Sequence, residues 1–426
     1  MSSPGSAASA TPGATTLAVV GAGVVGLCTA LQAQRQGYQV TLIDRDRPGL
    51  SGASFGNAGY LATELIDPLS TAKTLRAAPR MWLDPNGPLA LPLGYLHRIL
   101  PWLARFMLAA RPQNAARSRQ ALLQLNRAAL PAWQRCLDDI GAREQLLPSG
   151  YLLVWESADK LADAQDHAEY LKQWGIRTEL VRGQRLAELE PELAPQLSHA
   201  LYFPDAQQVR EPYQLCRQLF AAFQQRGGCF VEQPVEAIRP GERRVTVQTS
   251  AQSLEFNQAI ICAGAWSRKL LKGVGIEVPL EAERGYHLTV ESGPARLNRP
   301  IGSAERRFVI SPLASGLRVV GMTELGGLKL KPFRRRFAAL RHHSRALLPS
   351  LKGSSATVSE WMGHRPTLPD SLPVIDRHPK HPRLLFAFGN QHLGLTQAAI
   401  SAELVVSLLA NTEPPIEPAP FRVDRF

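Results

Sequence analysis

An α/β fold is predicted for this chain of 426 residues. It combines a parallel sheet flanked by helices with an α+β part on a mainly antiparallel sheet. Three observations predict it. A short apolar run, a glycine-rich turn, a helical pattern and a second apolar run follow one another between Thr16 and Asp44. A second unit of this kind follows Glu211, and a long helix-rich block and several alternating runs lie around it.

Residues 1–15, "MSSPGSAASATPGAT", hold small residues and proline without a charge, which reads as a disordered tail rather than a signal peptide. "TLAVV" is then a strand, "VVGLCTALQAQRQG" a helix stopped by Gly37, and "YQVTLID" a second strand. Between the first strand and the helix stands "GAGVVG", a Gly-x-Gly-x-x-Gly string. Gly21 permits the tight turn, Gly23 lets backbone approach a pyrophosphate, and Gly26 lets helix and strand pack closely. The helix N-terminus offers its free N–H groups to phosphate. Asp44, 18 residues beyond Gly26, is placed to take ribose hydroxyls. A glycine-rich turn in an ordinary βαβ unit is the plainer alternative.

From Ala72 to about Pro195 the pattern is mainly helical, with "LPLGYLHRILPWLARFMLAARP" its most apolar stretch, expected as a buried helix pair broken at Pro101 and Arg105. "GYLLVWES" reads as a strand within it. Glu211–Gly228 is a helix, followed by strands in "CFVEQPVEAIRP", "RVTVQT" and "LEFNQAIICAGAWS". Glu281–Thr323 holds further strands, and "FGNQHLGLTQ" opens a last helix, "AAISAELVVSLLA".

The net charge is +12, densest in Lys329–Arg345. Phe333, Phe337, Leu340 and Leu347 share one helical face there, with Arg334, Arg335, Arg341 and Arg345 on the others. A solvated face is the default reading, and a surface for anionic lipid or an acidic partner the alternative. Nothing resembling a nucleic-acid-binding motif accompanies the charge. Five scattered cysteines form no CxxC pair, which fits a reducing compartment, and Cys28 and Cys262 read as small buried hydrophobes. The uncharged windows Leu17–Leu31 and Leu384–Ala402 are too short or too interrupted for the ~20 apolar residues of a membrane span. "RHPKH" (His378, His381) has only Asp376 as a nearby carboxylate, so no metal is expected.

Four motifs together resemble the FAD-dependent amine and amino-acid oxidoreductases, over Leu17 to about Ala410. They are the glycine string with "ASFGNAGYL"; "IICAGAWS"; "RGYHLTV"; and "GHRPTLPDSLPVID" with "FGNQHLGLTQ". Bacterial D-amino-acid dehydrogenases resemble it most, through "NAG", "RPTLPDSLPVI" and "HLGLTQ". The resemblance implies a Rossmann-like FAD domain made of 16–71, 196–270 and 360–412, a substrate domain of 72–195 and 271–359, and a C-terminal extension of 413–426. It implies FAD contacts from Gly21, Ala22, Gly23, Val24, Val25, Gly26, Asp44, Arg45, Ser54, Asn57, Ala58, Gly59, Val235, Ala263, Gly264, Trp266, Gly389, Gln391, Leu393, Gly394, Leu395 and Thr396. Gly363 stands where relatives carry a tethering cysteine, so the FAD should be non-covalent.

By the same resemblance Arg365 holds a substrate carboxylate and Tyr286 shares it or covers the ring, with His287, Tyr60, Gln391 and His392 as further polar groups. A guanidinium suits a carboxylate because its paired N–H groups match the two oxygens. The implied reaction is oxidation of a small or cyclic D-amino acid, such as D-proline or a hydroxy-D-proline, to an imine and then a 2-oxo acid. A glycine/sarcosine-type amine oxidase and a non-catalytic flavin subunit are the alternatives. The expected partners are a small amino acid and quinone or oxygen as acceptor, with no nucleic acid. The expected location is the cytoplasm, with peripheral contact at the inner face of a membrane.

Overall fold

A computed structural model describes residues 15–291 and 293–426, so the expected tail lies outside it except for its last residue. The glycine-string unit forms as predicted: strand Thr16–Val20, helix Val24–Arg35 and strand Gln39–Asp44. They lie in a six-stranded sheet ordered Cys229–Glu232, Gln39–Asp44, Thr16–Val20, Gln258–Ile261, Leu384–Phe388, Val374–Arg377, parallel but for the last pair. Its central strands are buried on both faces, which their unbroken runs of Leu, Ile, Val and Phe require. Helix Gly394–Ala410 packs on helix Val24–Arg35 and on the 28-residue helix Pro112–Asp139. The window Gln391–Ala410 is apolar enough to cross a membrane, yet 78% of it is buried within the protein, as a core helix is.

The second sheet is larger and mainly antiparallel. It runs Val358–Thr367, Glu281–Val290, Gly316–Leu325, Phe308–Leu313, Ile301–Ser303, Tyr151–Trp155, His199–Phe203, Glu179–Arg182. Residues 199–203 and 360–367, expected in the cofactor domain, pair along their length with other strands of this sheet. Three short strands, Tyr60–Leu61, Gln207–Val209 and Leu146–Leu147, form a small sheet of their own.

Two helices differ from expectation. Leu96–Ala109 is one continuous helix through Pro101, and only Ile99, Trp102 and Ala109 are buried. Its Leu100, Met107 and Leu108 face solvent, so it is not half of a buried pair. The basic helix is Arg334–Leu347, with Phe337, Leu340 and Leu347 buried. Phe333 caps it from outside and is exposed, which removes it from the apolar face.

Candidate active site

Where the first strand ends, Gly21 adopts φ +112°, and a Cβ there would lie 2.4 Å from the Cys262 carbonyl oxygen. A Cβ on Gly26 would lie 1.8 Å from the Gly21 oxygen. Both glycines therefore let backbone segments cross. Gly23 is different: it has φ −72°, and a Cβ there would meet only Ser54 Oγ, at 3.2 Å. Its missing side chain leaves open space rather than a packing contact. The helix behind it has no acidic residue in its first turn, as a site for an anion needs.

That space is part of a groove of about 310 Å³. Of the expected cofactor residues, Gly21, Gly23, Val24, Val25, Asp44, Arg45, Ser54, Asn57, Val235, Ala263, Gly264, Trp266, Gly389, Gln391, Gly394 and Leu395 line it. The other six stand behind the wall. Ala22 donates its N–H to Asp44 Oδ2 at 2.6 Å, and Gly26 makes the crossing. Gly59, at φ +75°, accepts the Val209 N–H, with Ala58 beside it. Leu393 is buried, and the Thr396 hydroxyl accepts the Ala62 N–H at 3.0 Å. Thr396 thus ties the last helix to the segment after "NAG" instead of opening on the groove.

Burial raises the pKa of the Asp44 carboxyl, against the pull of the Ala22 and Asp46 N–H groups. The Arg45 guanidinium lies 4.1 Å from the Trp266 ring centroid. Lys269 and His364 line the same groove and were not foreseen. Lys269 follows "AGAWS" by two positions, and His364 adjoins Arg365, which are the only local signals. His364 Nε2 is buried without a hydrogen-bond partner among the described residues, and its pKa falls to about 4, chiefly from burial. The glycine crossings, the open space at Gly23, the helix N-terminus and this unpaired ring nitrogen fit FAD.

Beside the groove, strand pairing sets Glu283 opposite Arg365, Gly285 opposite Gly363 and His287 opposite Trp361. Side chains alternate along a strand, so these residues share one face of the sheet. A Cβ on Gly285 would lie 2.4 Å from the Arg365 Cζ, so the guanidinium rests on this glycine. Arg365 Nη1 donates to Glu283 Oε1 at 2.8 Å and to the Met322 carbonyl at 3.0 Å. Met322 is held at φ +64°, a conformation that costs a non-glycine residue about 1–3 kcal/mol and here coincides with that contact. Among the described residues, Nε and Nη2 of Arg365 make no hydrogen bond. His392 is half-buried beside this pair and its pKa falls to about 4, chiefly from desolvation, so it is uncharged at neutral pH.

The remaining expected substrate residues are not brought to this cluster. Tyr286 stands on the opposite face of its strand. Its hydroxyl donates to Glu324 and accepts the Phe333 N–H, and its ring meets Phe337 edge-on at 5.1 Å. It is wholly buried against the basic helix, a correction that strand parity alone dictates. His287 donates from Nδ1 to the Gly56 carbonyl at 3.2 Å and stacks on Trp361. Burial and the nearby Arg318 push its pKa down to about 3, so it is a neutral tie between sheet and cofactor loop. Arg318 reinforces the tie by donating to the Phe55 and Asn57 carbonyls. Tyr60 stacks on Tyr151 at 4.3 Å. Gln391 lines the groove at φ +51° and reaches the Leu368 carbonyl. Gly363, beside the Trp361 ring, offers no thiol for a tether.

The profile of the DAO family, FAD dependent oxidoreductases, matches residues 16–408. The chain belongs to this family. A DAO-family relative, the D-amino-acid oxidase of Bradyrhizobium diazoefficiens, is 30% identical over 415 residues, covering 96% of this chain and 98% of that protein. D-amino acid dehydrogenase 2 of Ralstonia nicotianae is 30% identical over 434 residues, covering 96% and 100%. Among solved structures, glycine oxidase from Geobacillus kaustophilus superposes with a TM-score of 0.77 at 20% identity, covering 97% and 99%. The protein is an FAD-dependent oxidoreductase with the DAO fold.

Proposed function

We propose that this DAO-family enzyme oxidises a small or cyclic D-amino acid. One observation carries the reading: the Arg365 guanidinium is anchored through Nη1, while Nε and Nη2, its other edge, have no partner among the described residues. Two parallel N–H donors of this kind match a carboxylate. Bound in the groove, FAD supplies the acceptor for the hydride of a Cα–H bond. The protein's task is to hold the amino acid by its carboxylate, and neutral His392 adds no repulsion to an incoming ammonium group. The amino acid leaves as an imine, which water opens to a 2-oxo acid and ammonia, and a cyclic substrate leaves as the cyclic imine. The names of the two relatives favour the D-series. The likeness to a glycine oxidase keeps glycine and N-methylglycine in view as the second reading.

For the acceptor we favour quinone reached at a membrane surface. Leu83 and Leu93 are about three-quarters exposed, at 74% and 75%, and Leu100, Met107, Leu330 and Phe333 are exposed as well. These segments adjoin. Arg336 holds the Gly87 and Leu89 carbonyls, and the Tyr95 ring lies over Gly327. Exposed Lys329, Lys331, Arg334 and Arg335 stand among them, the composition of an interfacial anchor. Turnover of D- and L-amino acids, glycine and N-methylglycine should be measured with oxygen and with a soluble quinone. D-alanine or D-proline should turn over faster with quinone. Preference for glycine or for L-enantiomers would contradict the substrate, and faster turnover with oxygen the acceptor.

A further inference from the structure

Arg365 does not face the substrate site alone. Glu283, itself nearly inaccessible, pairs with it, and both carboxylate oxygens are held: Oε1 also accepts the Thr323 hydroxyl and Oε2 the Thr367 hydroxyl, each at 2.9 Å. Burial pushes the Glu283 carboxyl up, but the Arg365 charge and the hydrogen bonds from Arg365 and Thr367 pull it further down, so it stays charged. Among the described residues Oε2 accepts a single hydrogen bond, which leaves it acceptor capacity. A buried ion pair gains little net stability over apolar packing, because the desolvation of both charges offsets their attraction. Fold stability therefore gives weak grounds for this pair. Substrate chemistry gives better ones.

We propose that Glu283 selects amino acids over plain carboxylic acids of the same skeleton, by aiming Arg365 and setting a negative charge beside the positive one. This rests on the amino-acid reading of the site. A lone guanidinium would attract any carboxylate, including the 2-oxo acid product. With Glu283 beside it, the cluster is neutral overall and has adjacent opposite ends, which complements a zwitterion. The 2-oxo acid formed once water has opened the released imine keeps the carboxylate and lacks the ammonium group, so it competes only weakly for the site. Glu283 thus acts as a positioning and specificity residue.

The test is calorimetric titration of the dithionite-reduced holoenzyme, without oxygen, with D-alanine and with propionate, which is the same skeleton without the amine. The reduced enzyme cannot take a hydride, so D-alanine binds without reacting. The wild type should prefer D-alanine by about tenfold or more, the scale of one well-placed charge pair. Glu283→Gln should lose most of that preference, with D-alanine weakened and propionate unchanged or tightened. Glu283→Asp, which keeps the charge and guards against a variant that misfolds, should retain much of it. Equal weakening of both ligands in Glu283→Gln, or an unaltered preference, would overturn the proposal and leave the amino-acid reading standing. A wild type that binds neither ligand would remove that reading and this inference together.

Discussion

Replacing Arg365 by lysine is expected to lower kcat/KM roughly 30- to 5,000-fold, because loss of a buried, charged hydrogen-bonded partner costs about 2–5 kcal/mol. Lysine keeps a positive charge but has no planar edge with two parallel donors. It also cannot contact Glu283 and the Met322 carbonyl while keeping two further parallel donors in reserve, as the guanidinium does. Flavin content should be unchanged, since Arg365 does not line the groove. Steady-state kinetics on the variant, with its flavin spectrum as control, check both halves. An unaltered kcat/KM would remove Arg365 from the substrate site.

The glycines of the string should separate into two classes. Gly26→Ala places a Cβ 1.8 Å from a backbone oxygen that cannot move without breaking the first turn. It should destabilise the protein by at least about 3 kcal/mol, at or beyond the upper end of ordinary overpacking, and yield little soluble protein. Gly23→Val should behave otherwise. Its backbone needs no positive φ, and its Cβ meets only the end of the Ser54 side chain. The variant should fold with near wild-type far-ultraviolet circular dichroism and the melting temperature of flavin-free wild type, and should be colourless, because the side chain enters space left open in the groove. A folded, yellow, fully loaded Gly23→Val protein would mean that FAD lies elsewhere.

These contrasts show which parts of the molecule are legible in the sequence. The dinucleotide unit is local: three glycines, an apolar helix and a carboxylate within 29 residues, Thr16 to Asp44, carry their own reasons. The substrate side is not local. Strand Val358–Thr367 contains Gly363, His364, Arg365 and Pro366, with no apolar alternation, and is a strand because it pairs with Glu281–Val290 along its whole length. Pro366 is tolerated there because the strand forms the sheet edge. Glu283 carries no signal in isolation, and its role appears only when register sets it opposite Arg365, 82 residues away. Tyr286 failed for the same reason in reverse. A motif names residue types, whereas strand parity decides which of them face the site. The helix Leu96–Ala109 is apolar enough to suggest burial, yet solvent takes one side of it.

On the proposed function, the groove and Arg365 together let a D-amino acid give up its Cα hydride to FAD. The most direct measurement is rapid anaerobic mixing of the oxidised holoenzyme with D-alanine and D-proline, each with hydrogen or deuterium at Cα, and with their L-enantiomers. The yellow flavin absorbance should bleach with D-substrates only, and more slowly when Cα carries deuterium. Bleaching by L-enantiomers alone, or no bleaching by any of these amino acids, would contradict it.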